Sequence, residues 1–161
     1  MPGPSTAPYP LGDLLALARQ SWVGEMERRL AARGHPGYRR SDAGAVRMLY
    51  ESPLAIGELG NRLGVTRQAA RKVADALQRR GYAVTVRDER DSRQLNVTLT
   101  TEGEEYARTI VLVIRELNRE VARRVDLAQL AAADSVLRAA LFDESTRRRA
   151  DRLPRPGSAG S

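Results

Sequence analysis

The apolar positions between Ile56 and Leu77 follow the spacing of two short helices. Leu59 and Leu63 are four residues apart, as are Val73 and Leu77, so each pair lies on one face of its helix. Two such apolar stripes can bury each other when the helices fold together. The pattern therefore predicts a helix-turn-helix over this segment.

Three residues around the expected turn support this interpretation. Gly64 suits the left-handed backbone conformation that ends a helix, because it has no Cβ atom. Thr66 is a good N-cap for the second helix. Gly60 also lacks a Cβ atom, so the two predicted helices can approach each other closely at this residue. The sequence therefore predicts a turn around Gly64, with the second helix starting after Thr66.

The outer face of the predicted second helix carries long hydrogen-bond donors on its first turns. Such a face suits the DNA major groove, where arginine and lysine pair with guanine and glutamine pairs with adenine. The alternative is the solvated surface of an ordinary helical hairpin. The residues predicted to bind DNA here are Thr66, Arg67, Gln68, Arg71 and Lys72. We expect Arg67, Gln68 and Arg71 to read bases and Lys72 to contact a base or a phosphate.

A β-hairpin is predicted directly after this helix, which makes the segment a winged helix. Apolar residues alternate with small or polar ones on both sides of a loop at residues 88–93: Tyr82, Val84 and Val86 before it, and Leu95, Val97 and Leu99 after it. Arg90 and Arg93 lie in the loop among carboxylates, and arginine at a wing tip suits the narrow minor groove. The alternative is a turn rich in Asp and Ser that caps itself. For Arg93 a second alternative is a pair with Asp88 that braces the loop.

Helix, wing and the following helix start occur in register in the segment GELGNRLGVTRQAARKVADALQRRGYAVTVRDERDSRQLNVTLTTEG. With its D-x-R-D-x-R wing and its L-T-x-x-G helix start, this segment resembles the winged-helix core of the MarR family of bacterial transcription regulators. The resemblance extends over residues 11–143 and is densest from Leu54 to Gly103. Ala55 departs from the pattern, because many members have a Ser or Thr cap at that position.

The resemblance implies a homodimer that binds a palindromic operator in double-stranded DNA, usually as a repressor that a small aromatic or phenolic effector releases. In the family, the effector lies between the dimerisation helices and the winged domain. Here this implies a pocket near Trp22, Met26, His35, Tyr38 and Met48. The alternative is that the Trp and Met residues belong to the core and that the histidine is solvated.

Further amphipathic helices are predicted on both sides of the winged helix, over residues 11–32 and 101–125, the second opened by a capping box of Thr101 and Glu104. At 1.5 Å per residue the second would be about 37 Å long. Its apolar face exceeds what a small domain covers, which favours burial against a second protomer. Asp126 and Gln129 cap a last helix, whose residues expected to point inward are Leu130, Val136, Leu137, Ala140 and Leu141.

The predicted fold is therefore mostly α with a small β-hairpin wing. A winged helix-turn-helix domain at residues 41–100 lies between the two parts of a helical dimerisation region, residues 11–40 and 101–145. Residues 1–10 and the basic residues 146–161 are predicted to be disordered tails, because they are polar and rich in Pro or Gly.

Composition narrows the function classes. There is no cysteine and only one histidine, His35, which argues against thiol chemistry and zinc sites; P-loop and Rossmann glycine patterns are also absent. We therefore expect a protein that is not an enzyme and that binds neither a cofactor nor a metal ion. No apolar run approaches the ~20 residues that span a bilayer, so we expect a cytoplasmic protein with no membrane partner.

Charge favours a nucleic-acid partner. The net charge is +7, and residues 66–93 carry eight basic and four acidic side chains, a net of +4. The alternatives that remain are a nonspecific or architectural DNA-binding protein without an effector, and a winged helix that serves as a protein-interaction module.

Overall fold

The computed structural model describes residues 10–87 and 95–151. Over these residues the chain is mostly helical with one small antiparallel sheet, which confirms the predicted fold class. The elements in chain order are α1 (Leu11–Ala31), α2 (Arg40–Glu51), β1 (Leu54–Ala55), α3 (Ile56–Leu63), α4 (Arg67–Arg79), β2 (Ala83–Arg87), β3 (Leu95–Leu99), α5 (Thr101–Ala122), α6 (Leu127–Ala139) and α7 (Glu144–Ala150).

The helix-turn-helix consists of α3 and α4 and has the predicted turn. Gly64 adopts the left-handed conformation, with φ +67°, and ends α3. The Thr66 hydroxyl accepts a hydrogen bond from the Ala69 N–H at 3.2 Å and caps α4. A Cβ atom on Gly60 would lie 3.2 Å from the Val65 carbonyl oxygen. Glycine at residue 60 therefore permits the close approach that the sequence indicates.

The sheet has the strand order β1-β3-β2, and both pairings are antiparallel. Strands β2 and β3 are the predicted hairpin, in which Ala83 pairs with Leu99. Strand β1 was not predicted. It has two residues, of which Leu54 pairs with Val97, and it is too short to show an alternating pattern. Because β1 pairs with β3, it joins the start of α3 to the wing.

The start of α5 differs from the prediction by one residue. The N-cap is Thr100, whose Oγ1 accepts a hydrogen bond from the Gly103 N–H at 3.0 Å. The predicted capping box of Thr101 and Glu104 is therefore wrong. The reason is tertiary: the Thr100 N–H donates to the Tyr82 carbonyl at 3.1 Å, which keeps Thr100 extended, so that the helix begins only at Thr101.

One hydrophobic core joins α2, α3, α4, the sheet and α5. Its fully buried side chains include Leu59 of α3, Leu77 of α4 and Ile110 of α5. Helix α1 buries only Met26 and Leu30, near its C-terminal end. The core holds α4 by its inner face and leaves the outer face to solvent.

The apolar side chains of α6 are not buried in the single protomer. Val136 and Leu137 are 48% and 46% exposed. The prediction that α6 points its apolar residues inward is therefore wrong for Val136 and Leu137, because the core of the winged domain closes without α6, whereas Leu130, Ala140 and Leu141 are half-buried. No described helix combines the length and the apolar composition needed to cross a bilayer.

A short helix, α7, occupies residues predicted to begin the C-terminal tail. Asp143 is its N-cap and accepts a hydrogen bond from the Thr146 N–H at 2.8 Å. The rest of the two predicted tails, residues 1–9 and 152–161, lies outside the described residues.

Candidate nucleic-acid interface

The side chains predicted to bind DNA lie together at the N-terminal end and on the outer face of α4. The opposite face buries Ala70, Ala74 and Leu77, and the two alanines let α3 pack closely. The exposed residues are Thr66, Arg67, Gln68, Arg71 and Lys72. One helix therefore separates a packing face from a polar face of long donors.

The donors on this face are little engaged within the protein. Arg71 Nε lies 3.6 Å from Asp75 Oδ1, in an exposed pair. Within residues 10–87 and 95–151, no hydrogen bond or ion pair engages the side chains of Arg67, Gln68 or Lys72. The first turn of α4 also contains no acidic side chain, so the positive end of the helix dipole is not offset there. This end of α4 is therefore suited to a polyanion.

A buried polar cluster anchors the other end of α4. Arg80 directly follows the helix, and its Nη1 donates to Asp42 Oδ2 of α2 at 2.6 Å. Its Nη2 donates to the Tyr106 hydroxyl of α5 at 3.3 Å. The Arg80 guanidinium also lies over the ring of Tyr82, 4.9 Å from its centroid. The C-terminal end of α4 is thus joined to both α2 and α5.

Asp42 is the central acceptor of this cluster and is 1% exposed. Besides Arg80, it accepts hydrogen bonds from the Tyr106 hydroxyl at 2.8 Å and from the Arg39 N–H at 3.1 Å. Burial raises the pKa of Tyr106 far above its ordinary value, so the phenol remains a donor. Sequence reasoning missed this cluster, because its members are far apart in the chain; the only local signal was an acidic residue in the first turn of α2.

Part of the predicted DNA interface is not described. Arg90 and Arg93 of the wing lie outside the described residues. Strands β2 and β3 lead to that loop from Arg87 and Leu95. The contacts predicted for the wing therefore remain predictions.

The residues predicted to bind an effector lie in or against the core. Met26, Tyr38 and His35 are 1%, 9% and 8% exposed. His35 Nδ1 is 3.2 Å from the Tyr82 hydroxyl, so this ring is buried and engaged rather than solvated. Trp22 and Met48 are partly buried against the same core. The effector site remains a prediction.

Two cavities lie on the side of α2 that bears Arg47. The first, about 400 Å³, lies between α2 and α5 where they diverge at the surface and is lined by Arg47, Tyr50, Glu51, Ala107, Arg108, Val111, Leu112 and Arg115. The second, about 690 Å³, separates α2 and α3 from α7, and its lining includes Met48, Arg62 and Arg149. Of the predicted effector residues, only Met48 lines either of these two cavities.

Metal binding has no candidate in the described part of the chain. Within residues 10–87 and 95–151, no three His, Cys, Asp or Glu side chains lie close enough together to hold a metal ion.

The fold is shared with several solved transcription regulators. A mutant of MarR from E. coli, crystallised with operator DNA, is 19% identical, and the match covers 82% of this chain and 94% of that one, with a TM-score of 0.67. PcaV from Streptomyces coelicolor is 21% identical over 90% of this chain and all (100%) of that one, with a TM-score of 0.68. FabT from Streptococcus pneumoniae, crystallised with DNA, is 17% identical over 79% and 90%, with a TM-score of 0.68.

Sequence comparison gives a more local result. No curated protein matches the sequence significantly. The model of the MarR family matches residues 37–94, which span α2, the helix-turn-helix and the first strand of the hairpin. The resemblance found in the sequence is therefore confirmed: residues 37–94 match the MarR family, and the chain has the winged-helix fold of MarR-type transcription regulators.

Proposed function

We propose that the protein is a sequence-specific DNA-binding transcription regulator that reads the major groove with α4. The observation that carries this proposal is the exposed face of α4, on which Arg67, Gln68 and Lys72 have no partner among the described residues. Arg67, Gln68 and Arg71 would read bases, and Lys72 a base or a phosphate. The wing residues Arg90 and Arg93 would reach the minor groove. Two similar structures were crystallised with DNA, which supports the same partner here.

The proposed assembly is a homodimer. Helices α1 and α6 expose apolar side chains that a soluble monomer rarely leaves open in such number. They include Leu14, Leu15, Leu17, Val136 and Leu137, and Phe142 after α6 is 87% exposed. Two copies related by a two-fold axis would present two α4 helices to successive major grooves, about 34 Å apart. The operator would then be an inverted repeat.

The proposed regulation is repression that a small aromatic or phenolic effector relieves. An effector can shift the protein only by binding one protomer arrangement more tightly than another. Trp22 lies at the junction of α1 with the core, where such a shift would change its surroundings. Titration with salicylate-like phenols, followed by Trp22 fluorescence, tests this step. Release of DNA without any change in that fluorescence would contradict the predicted site.

Selection of bound sites from a random DNA pool tests the whole proposal. We expect recovery of a palindrome and much tighter binding to it than to random DNA at one fixed salt concentration. Equal affinity for both DNAs would instead identify a nonspecific or architectural DNA-binding protein. Absence of binding to either would reject DNA as the partner.

A further inference from the structure

Helix α7 is held in a defined orientation by one arginine side chain of its own and one of α6. Arg147 donates from Nε to the Leu141 carbonyl at 2.6 Å and from Nη2 to the Phe142 carbonyl at 3.2 Å. Arg138 of α6 donates to the Ala150 carbonyl at 3.0 Å. The cap at Asp143 fixes the start of the helix. The chain after α6 is therefore folded back, and α7 lines the same cavity as α2 and α3.

This orientation places Arg149 directly over the turn of the helix-turn-helix. A Cβ atom on Gly64 would lie 2.9 Å from Arg149 Nη1 and 3.6 Å from its Cζ. The guanidinium thus occupies the space into which a side chain at Gly64 would point. Thr66 and Arg67, at the start of the recognition helix, follow within three residues of this glycine.

The surroundings of Arg149 leave its charge unneutralised. Arg149 is exposed, and its guanidinium has no hydrogen bond or ion pair with any residue in the described part of the chain. The cavity beside it is also lined by Arg47 and Arg62, against a single carboxylate, Glu51. Arg62 already bonds Glu58 at 2.8 Å, whereas Arg149 keeps all its donors available. The positive charge at the start of α4 therefore extends over the turn.

We propose that Arg149 binds a DNA phosphate beside the helix-turn-helix turn, so that the C-terminal helix forms part of the DNA interface. The proposal rests on the proposed DNA-binding function. A guanidinium beside the turn, rather than on the outer face of α4, lies where a backbone phosphate flanking the groove would be reached. Arg149 would therefore add affinity and position α4 without reading sequence.

The helix itself supplies a matched control. Arg148 is the neighbouring residue, carries the same charge and is equally part of α7, but it is paired with Glu144. Binding of a labelled duplex carrying the selected operator is measured by fluorescence anisotropy over a range of salt concentrations for wild type, Arg149→Ala and Arg148→Ala. Alanine favours helix, so both variants should keep α7, which circular dichroism checks.

We expect Arg149→Ala to weaken binding several-fold, equally for operator and random DNA, and to lower the salt slope by about 1 for each bound protomer. Arg148→Ala should leave both quantities close to wild type, and Arg149→Lys should recover most of the lost slope.

The outcomes separate the two proposals. If wild type binds the operator but Arg149→Ala binds as wild type does, the phosphate contact is overturned and the proposed function stands. Equal losses in Arg148→Ala and Arg149→Ala would reduce the effect to net charge and would also overturn it. Failure of wild type to bind DNA would instead reject the proposed function.

Discussion

At the scale of single residues, the polar side chains divide into two kinds. Those on the outer face of α4 are exposed and weakly paired, whereas the buried Asp42 and Tyr106 and the partly buried Arg80 form a hydrogen-bonded cluster at its far end. Among the described residues, no buried side-chain nitrogen or oxygen lacks a partner. The exposed side chains of α4 are suited to binding, because a hydrogen-bond partner for them must come from another molecule. The cluster around Asp42 is suited to holding α4 in position.

Arg71→Ala tests the proposed reading of bases. If Arg71 pairs with a base, the variant should lose about 1–3 kcal/mol of binding free energy at the operator and discriminate less at one position. Arg79→Ala removes the same charge from the opposite end of α4 and is the control. Competition binding with operator variants provides the measurement. An unchanged operator affinity for Arg71→Ala would show that this residue does not read DNA.

Tyr106→Phe tests the buried cluster through the pH dependence of stability. The pKa of Tyr106 is raised in the folded state, so this group favours folding fully below the ordinary tyrosine pKa of about 10, and its contribution falls as pH rises above that value. From pH 10 to 12 the wild-type free energy of unfolding should fall more steeply than that of Tyr106→Phe, by up to about 1.4 kcal/mol per pH unit. Urea unfolding at several pH values measures both slopes; parallel slopes would contradict the shift.

At the scale of elements, close backbone approaches decide where helices begin. The start of α5 rests against the residue that precedes β2, since a Cβ atom on Gly103 would lie only 1.8 Å from the Tyr82 carbonyl oxygen. Ion pairs then join α5 to α1: Arg29 to Glu120 at 2.7 Å and Arg33 to Glu116 at 2.9 Å. These pairs are partly exposed and contribute more to the orientation of α1 than to stability.

Gly103→Ala should therefore destabilise the protein, although the same change usually stabilises a helix. The added methyl group meets backbone atoms, which cannot move without shifting α5, at a cost of about 1–3 kcal/mol or more. Gly57→Ala in α3 is the control, because nothing lies within 4 Å of its Cβ position. Thermal unfolding followed by circular dichroism compares the two. Equal melting temperatures would show that the close approach is absent.

The sequence predicted elements whose signals are local. Gly64 and Thr66 mark the turn and cap of the helix-turn-helix within three residues, and both predictions are confirmed. The cap of α5 was misplaced because a bond to Tyr82, distant in the chain, selects Thr100 over Thr101. The contact of Arg149 with the turn at Gly64 likewise joins residues that are far apart in the sequence. Neither spacing nor composition reports such long-range contacts.

For the chain as a whole, the notable surface feature is that α1 and α6 expose apolar side chains to solvent. The winged domain buries its own core, whereas α6 buries none of its side chains. We propose that a second copy of the chain covers these faces. The division into a reading domain and a dimerisation region remains a prediction.

Val136→Glu should weaken self-association, because it places a charge on the exposed face of α6. Val84→Glu in the hairpin is the matched control: Val84 is 44% exposed and Val136 is 48% exposed, but only the latter lies in the proposed interface. Analytical ultracentrifugation over a concentration series measures the dissociation constant. A wild-type protein that remains monomeric at micromolar concentrations would rule out the dimer.

The buried face of α4 packs against the core, and its exposed face is the one proposed to bind DNA. The residues that hold the helix, Ala70, Ala74 and Leu77, share no position with the side chains that face outward. Because the anchor at Arg80 lies beyond the last turn, substitutions at the exposed residues 67, 68, 71 and 72 would leave it intact. Substitution of a few exposed side chains can thus change which DNA sequence is bound while the stability of the fold is kept, so that no compensating substitution is needed.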